Sequence, residues 1–161
     1  MAYIVDQYPL FYDGINEKGV GMAGLNFAGN AVYNEMQKGT FNIAPFEFIP
    51  WILGQCASVK EARKKIEGVN LIKENFSDDL PLSPLHWMIS DREASIVVEP
   101  MKDGLHIHDN PVGVMTNNPP FDYQLFGLNN YMSLSCEPPG NHFSKDLQLD
   151  QYSRGMGAIG L

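Results

Sequence analysis

The sequence predicts an α+β fold, and three observations carry that reading. Residues 85–116 run through four short strand-like stretches, 85–90, 95–99, 105–108 and 112–116. Asp91-Arg92-Glu93 separates the first pair and Lys102-Asp103-Gly104 the second, where Asp-Gly is a strong hairpin signal. Upstream lie two stretches with helical character, near 45–53 and 58–67. Connections this short cannot hold crossover helices, so the strands form an antiparallel meander. Helices set against an antiparallel sheet define the α+β class.

The elements follow in order. Leu10-Phe11-Tyr12 reads as a strand, and Asn16-Glu17-Lys18-Gly19 supplies turn chemistry, with glycine taking a positive φ. Residues 20–27 form the return strand, where Gly21 and Gly24 suggest close packing or a backbone approached by a ligand. Pro45 suits the first turn of a helix, where its missing N–H costs nothing. Phe46, Ile49, Trp51, Ile52 and Leu53 form that helix's apolar body, and Pro50 limits its regularity. Ser58-Val59-Lys60-Glu61 is a capping box for a second helix. Its inward face is Val59, Ala62 and Ile66; Glu61 and Lys65 pair at i,i+4, and Gly68 stops it. After Pro119-Pro120, residues 121–131 read as a helix weakened by Gly127. Residues 132–161 are loop-rich, and the last of them stop in mid-pattern without a cap.

A length of 161 residues predicts one domain, 1–161. A net charge of −8 repels a phosphate backbone, which argues against a nucleic-acid partner. The densest basic stretch, Arg63-Lys64-Lys65, reads as a solvated helix face. No apolar run approaches the roughly 18 residues of a membrane span, and the first residues have no basic n-region, so a cytoplasmic location without membrane association is expected. Cys56 and Cys136 have no metal spacing and make no CxxC. Cys56 follows an apolar run and reads as a small buried hydrophobe, and Cys136 as a loop residue.

Local chemistry motifs are few. GxSxG, HExxH and a glycine-rich phosphate loop are absent from the sequence. His106 and His108 alternate along a strand and share a face, but no acidic or cysteine partner at ligand spacing completes a metal site, so none is expected, nor any cofactor. Asn117, before Asn118-Pro119, reads on its own as a turn residue. Asn26 reads as a polar strand end.

Several long blocks add a further reading: NEKGVGMAGLNFAGNAVY (16–33), IAPFEFIPWILGQ (43–55), LPLSPLHWMISD (80–91), VMTNNPPFDYQLFGLNNY (114–131) and QYSRGMGAIGL (151–161). In this order the blocks closely resemble the choloylglycine hydrolase family, the conjugated bile salt hydrolases. The resemblance implies the four-layer αββα sandwich of the N-terminal-nucleophile hydrolases, incomplete in this chain. It implies hydrolysis of the amide that links a bile acid to glycine or taurine, in a bacterial enzyme. Conjugated bile acids of the glycocholate and taurocholate type are then the partners. Residues 129–153 resemble the extension through which family members assemble into homotetramers.

The family's nucleophile is a mature N-terminal Cys. A thiol of pKa about 8.5 is intrinsically nucleophilic, and the free α-amino group beside it, of pKa about 7.7–8.0, can take its proton. Position 2 here is Ala2, so the chain is expected to be the central part of a longer domain, inactive without that Cys. The oxyanion residues do carry over. The family's TN-x-P motif falls on Thr116-Asn117-Asn118-Pro119, which assigns the side-chain donor to Asn117, and the strand-end backbone N–H falls on Asn26. Residues 75–85 match a loop beside the steroid, with Phe76, Leu80 and Leu82 as wall candidates. Penicillin V acylases of the same family tend to carry Tyr at the position of Asn26, which favours bile salts. A penicillin V or N-acyl homoserine lactone acylase and a non-catalytic fragment that binds bile acids or oligomerises are the alternatives.

Overall fold

A computed structural model describes residues 1–132, 134 and 144–147. The chain divides into two compact units, Met1–Asp122 and Tyr123–Leu161.

The first unit opens with a hairpin of β1 (Ala2–Val5) and β2 (Tyr8–Phe11). Its two-residue turn puts Asp6 and Gln7 at φ of 48° and 67°, the left-handed geometry whose twist matches the strands it joins. The expected strand at 10–12 is thus the end of β2, and β1 is an addition to the sequence reading. A second hairpin joins β3 (Asp13–Ile15) to β4 (Gly21–Asn26), with Gly19 at φ 86° in the turn. Asn16 builds that turn: its Oδ1 accepts from the N–H groups of Lys18 and Val20, at 3.1 and 3.0 Å. Its Nδ2 donates to the carbonyls of Leu53 and Cys56, at 2.9 and 2.8 Å.

β5 (Phe41–Ile43) comes next, then helices α1 (Pro45–Leu53) and α2 (Val59–Ile66), and then β6 (Val69–Leu71), which pairs in parallel with β5. Pro45 opens α1 as expected, and Pro50 lies inside it. The cap of α2 departs from the expected box. Ser58 accepts from the Glu61 N–H at 3.2 Å, but the Glu61 carboxylate reaches past Ser58 to the Ala57 N–H at 2.8 Å. A tertiary partner adds to the cap, since the Val59 N–H donates to Asp91 at 2.6 Å. Glu67, in right-handed geometry, ends α2, so Gly68 is not needed as a left-handed stop.

The meander is β7 (Leu85–Ser90), β8 (Ser95–Met101) and β9 (Gly104–Asp109). It extends β3 and β4 into a five-stranded antiparallel sheet of order β3-β4-β7-β8-β9. The fourth expected strand, 112–116, is a loop. The Asn110 side chain accepts from the Gly113 N–H at 2.9 Å and donates to the Val114 carbonyl at 3.1 Å, folding the segment on itself with Gly113 at φ 69°. Val112 and Val114 are exposed. α3 (Phe121–Gly127) follows, and its α-helical geometry ends at Gly127, where a 3-10 turn, Leu128–Tyr131, takes over.

One face of the sheet buries Met22, Trp87, Ile89, Ile96 and Val98 against Phe48, Ile49 and Ile52 of α1 and Val59, Ala62 and Ile66 of α2. Phe48 meets Trp87 edge to face at 4.9 Å. Each of the Val, Ile, Met and Phe side chains among them contributes roughly 1.5–3 kcal/mol on burial. A helix layer on a sheet is one αβ half of the expected αββα order. Strand alternation puts His86, Val97 and Glu99 on the opposite face, and all three are fully buried.

Candidate functional site

An apolar cavity of about 190 Å³ opens between the loop at 74–83, the β1–β2 hairpin, α1 and the adjacent strands β4 and β7. Phe76, Leu80 and Leu82 line it, together with Phe11, Phe46, Ile49 and Trp87. The Phe76 ring is packed by Tyr8 and Phe46, at centroid distances of 5.5 and 5.3 Å. The loop has its own scaffold. The Asn75 side-chain carbonyl accepts from the Leu82 N–H at 3.0 Å, and Ser77 bridges to Leu80. Tyr33 locks the far end: its hydroxyl donates to the Ser83 carbonyl at 2.8 Å and accepts from the Leu85 N–H at 3.0 Å. Burial pushes the Tyr33 phenol up to about 12, so this double contact persists across the neutral range. Glu74 is the charged residue on the cavity wall.

Gly24 is part of the same wall. A Cβ there would lie 3.2 Å from the Trp87 indole nitrogen. Of the two readings offered by the sequence, close packing is realised at Gly24. At Gly21 a Cβ would meet only ordinary contacts, at 3.8 Å.

Asn26 lies at the end of β4, two residues beyond Gly24, and pairs with Leu85, which also lines the cavity. Strand geometry decides where its N–H points. The Phe27 N–H donates to the Pro84 carbonyl at 2.7 Å, on the β7 side, while the Gly24 N–H donates to the Tyr12 carbonyl at 2.9 Å, on the β3 side. Alternation therefore aims the Asn26 N–H to the β3 side. Pairing with β3 ends at Ala23, so this N–H lies beyond it.

Asn117 is exposed on the loop between β9 and α3. Its neighbour Asn118 ties that loop to the turn after β4. Asn118 accepts from the Asn30 side chain at 2.7 Å and donates to the Ala28 carbonyl at 3.3 Å. Thr116 closes the loop internally with a 3.3 Å bond to the Asn118 carbonyl. The segments bearing Asn26 and Asn117 are thus joined through Asn118, a role that the sequence reading missed.

The sheet's other face carries a polar cluster that local spacing did not reveal. His86 Nδ1 lies 2.9 Å from one Glu99 oxygen, and His108 Nε2 lies 3.4 Å from the other. The Phe121 N–H, at the start of α3, donates to both oxygens at 3.1 Å. The expectation that His108 has no acidic neighbour is corrected here, because its neighbour is across the β8–β9 pair. Glu99, His108 and Asp122 bring three potential ligand atoms within 4.8 Å of one another. The Glu99 carboxylate is nevertheless engaged by an imidazole and a main-chain donor, so it is built as a hydrogen-bond acceptor.

Cys56 is buried, and burial pushes its thiol up, with Lys65 opposing and Glu61 adding to the shift. A protonated, enclosed thiol is a poor nucleophile. Cys136 and the block at 151–161 lie outside the described residues, as does most of the 129–153 stretch. No helix among the described residues is long and apolar enough to cross a membrane.

The sequence profile of the linear amide C–N hydrolases, choloylglycine hydrolase family, matches residues 1–161. A bile salt hydrolase/transferase of Lactiplantibacillus plantarum is 59% identical over 157 residues, covering 98% of this chain and 48% of the relative. One of Clostridium perfringens is 39% identical, covering all of this chain and 50% of the relative. A crystal structure of a single-residue variant of the conjugated bile acid hydrolase from C. perfringens superposes with a TM-score of 0.88 at 39% identity, over 99% of this chain and 49% of that one. A penicillin V acylase from Agrobacterium tumefaciens, 24% identical with a TM-score of 0.65 over 83% of this chain and 41% of that one, shares the fold. The chain spans about half the length of the curated relatives it matches.

Proposed function

This chain belongs to the choloylglycine hydrolase family of linear amide C–N hydrolases, and on that basis we propose that the complete protein cleaves the amide bond of glycine- or taurine-conjugated bile acids. The described residues are the central part of its hydrolase domain. They supply a steroid wall and two oxyanion donors. The nucleophile is the family's N-terminal Cys, outside these residues, since Cys56 is enclosed and protonated.

One observation supports the reading: an apolar cavity walled by the 74–83 loop, one of whose lining residues, Leu85, pairs with Asn26 at the end of β4. Phe76, Leu80 and Leu82 form a surface suited to a rigid steroid. At 190 Å³ the cavity is below the ~300–1,000 Å³ of a pocket for a ligand of this size, so other parts of the complete protein complete it. In this reading the Asn26 N–H and the Asn117 side chain receive the oxygen of the scissile amide as the tetrahedral intermediate forms. Charge develops there only in the transition state, so these donors act on kcat. The complete enzyme works as a homotetramer in the bacterial cytoplasm.

The test is turnover of glycocholate, taurocholate and penicillin V by the complete protein, followed as release of glycine, taurine or 6-aminopenicillanic acid. Bile-salt cleavage at the higher kcat/KM is expected. Faster penicillin V cleavage would replace the substrate assignment.

A further inference from the structure

Glu99 and His86 are both fully buried. A carboxylate removed from water costs several kcal/mol unless its oxygens are matched, so its surroundings reveal what it is held there to do. Glu99 accepts from the Phe121 N–H through both oxygens, at 3.1 Å each, and contacts His86 Nδ1 at 2.9 Å. One proton is shared between Nδ1 and the Glu99 oxygen. The His86 ring lies flat on Phe27, with centroids 4.2 Å apart and planes within 5°.

These contacts have a common geometry. Phe27 immediately follows Asn26, and Phe121 closes the short loop that begins with Thr116-Asn117. The His86–Glu99 pair therefore holds the backbone next to each proposed oxyanion donor. It does so from the buried side, while Asn118 links the same two segments at the surface. His108, 3.4 Å from Glu99, flanks the pair without a hydrogen bond to it.

We propose that His86 and Glu99 are positioning residues for the oxyanion site, setting the separation of the Asn26 N–H and the Asn117 amide from within the sheet. The proposal rests on the functional reading above. Neither residue touches substrate. Glu99 acts through the Phe121 N–H and the 116–120 loop, and His86 through Phe27. In Glu99→Gln one of the two oxygens that accept from the Phe121 N–H becomes an NH2 donor, so the paired anchor is reduced to a single acceptor without loss of volume.

The experiment is a double-mutant cycle in the complete protein with glycocholate, pairing Glu99→Gln with Asn117→Ala. Glu99→Gln alone is expected to lower kcat by about tenfold or more with KM within about twofold. In the Asn117→Ala background the same change should cost far less, because the donor it positions has been removed. A purely structural role would give losses that multiply, and that result overturns the proposal, as does an unimpaired Glu99→Gln enzyme. Should Glu99→Gln not fold, His86→Gln, whose amide can still donate to Glu99, enters the same cycle with the same two outcomes. No turnover by the parent protein would overturn the functional reading and the proposal together. Turnover with multiplying losses would overturn the proposal alone.

Discussion

The Asn118 bridge gives a prediction in which stability and catalysis separate. Asn118→Ala removes the 2.7 Å bond from Asn30 and the 3.3 Å bond to Ala28, both at exposed positions. An ordinary intramolecular hydrogen bond contributes about 0.5–1.5 kcal/mol net. One of these is long and both compete with water, so about 1 kcal/mol in total is the expected loss. That lowers the melting temperature by at most about 2–4 °C, since the shift shrinks as the unfolding unit grows. The catalytic effect should be larger than this implies. The same two bonds hold the loop bearing Asn117 against the turn after β4, and if Asn117 is the proposed donor, setting it adrift from the oxyanion partly removes it. Complete loss of one oxyanion donor costs about 10²–10³ in kcat, which sets the ceiling. A kcat about 10–100-fold below the parent is expected for Asn118→Ala in the complete protein, with KM little changed. Initial rates of glycine release over a range of glycocholate, beside a thermal melt, measure both quantities. A lowered melting temperature with kcat intact would refute the reasoning and leave Asn118 a merely structural bridge.

Other outcomes follow from the same geometry. Asn117→Ala should lower kcat by about 10²–10³ with little change in KM, and a raised KM at constant kcat would make Asn117 a ground-state contact instead. Phe76→Ala opens the cavity wall that Tyr8 and Phe46 support, and steady-state kinetics should show KM raised about tenfold, the equivalent of about 1–2 kcal/mol of lost apolar contact. Asp91 gives a pH signature. Its carboxyl is held below the usual carboxylate range, chiefly by the Val59 N–H and then by those of Glu93 and Ala94, with burial opposing. A lowered folded-state value means the stabilisation is present above the unfolded value of about 3.9 and is lost as pH falls through the folded one. Asp91→Asn should therefore cost about 1 kcal/mol at neutral pH, with parent and variant melting temperatures converging as pH falls through the lowered folded-state value of Asp91. A gap that persists in acid would mean another cause.

What the sequence disclosed follows the range of the interactions involved. The two helices and the meander were legible because their signals are local: Pro45 at a first turn, Ser58 at a cap, Asp103-Gly104 in a hairpin. The β5–β6 pair was not, since its parallel register joins Phe41 to Val69 across two intervening helices. Residues 112–116 alternate like a strand, but the Asn110 side chain satisfies the backbone that a neighbouring strand would otherwise pair. The His86–Glu99 contact was within reach. Both residues interrupt apolar runs, and the hairpin that pairs Ser90 with Ser95 and Trp87 with Val98 puts His86 opposite Glu99 one step further on. The site assignments at Asn26 and Asn117 came from family resemblance alone, because single asparagines at a strand end and in a turn carry no chemical signature of their own.

Asn16 bears on how this protein tolerates rebuilding. The tip at Glu17, Lys18 and Gly19 is exposed, and such tips are where tags, inserted domains and new termini are usually accepted. Here, however, one side chain both shapes the turn and holds the carbonyls of Leu53 and Cys56 just past the end of α1. A graft that displaced Asn16 would release the helix end together with the loop. The hinge residue, not the exposure of its neighbours, sets where this surface can be cut, and the turn after Lys102, which has no such long-range tether among the described residues, is the better place to open the chain.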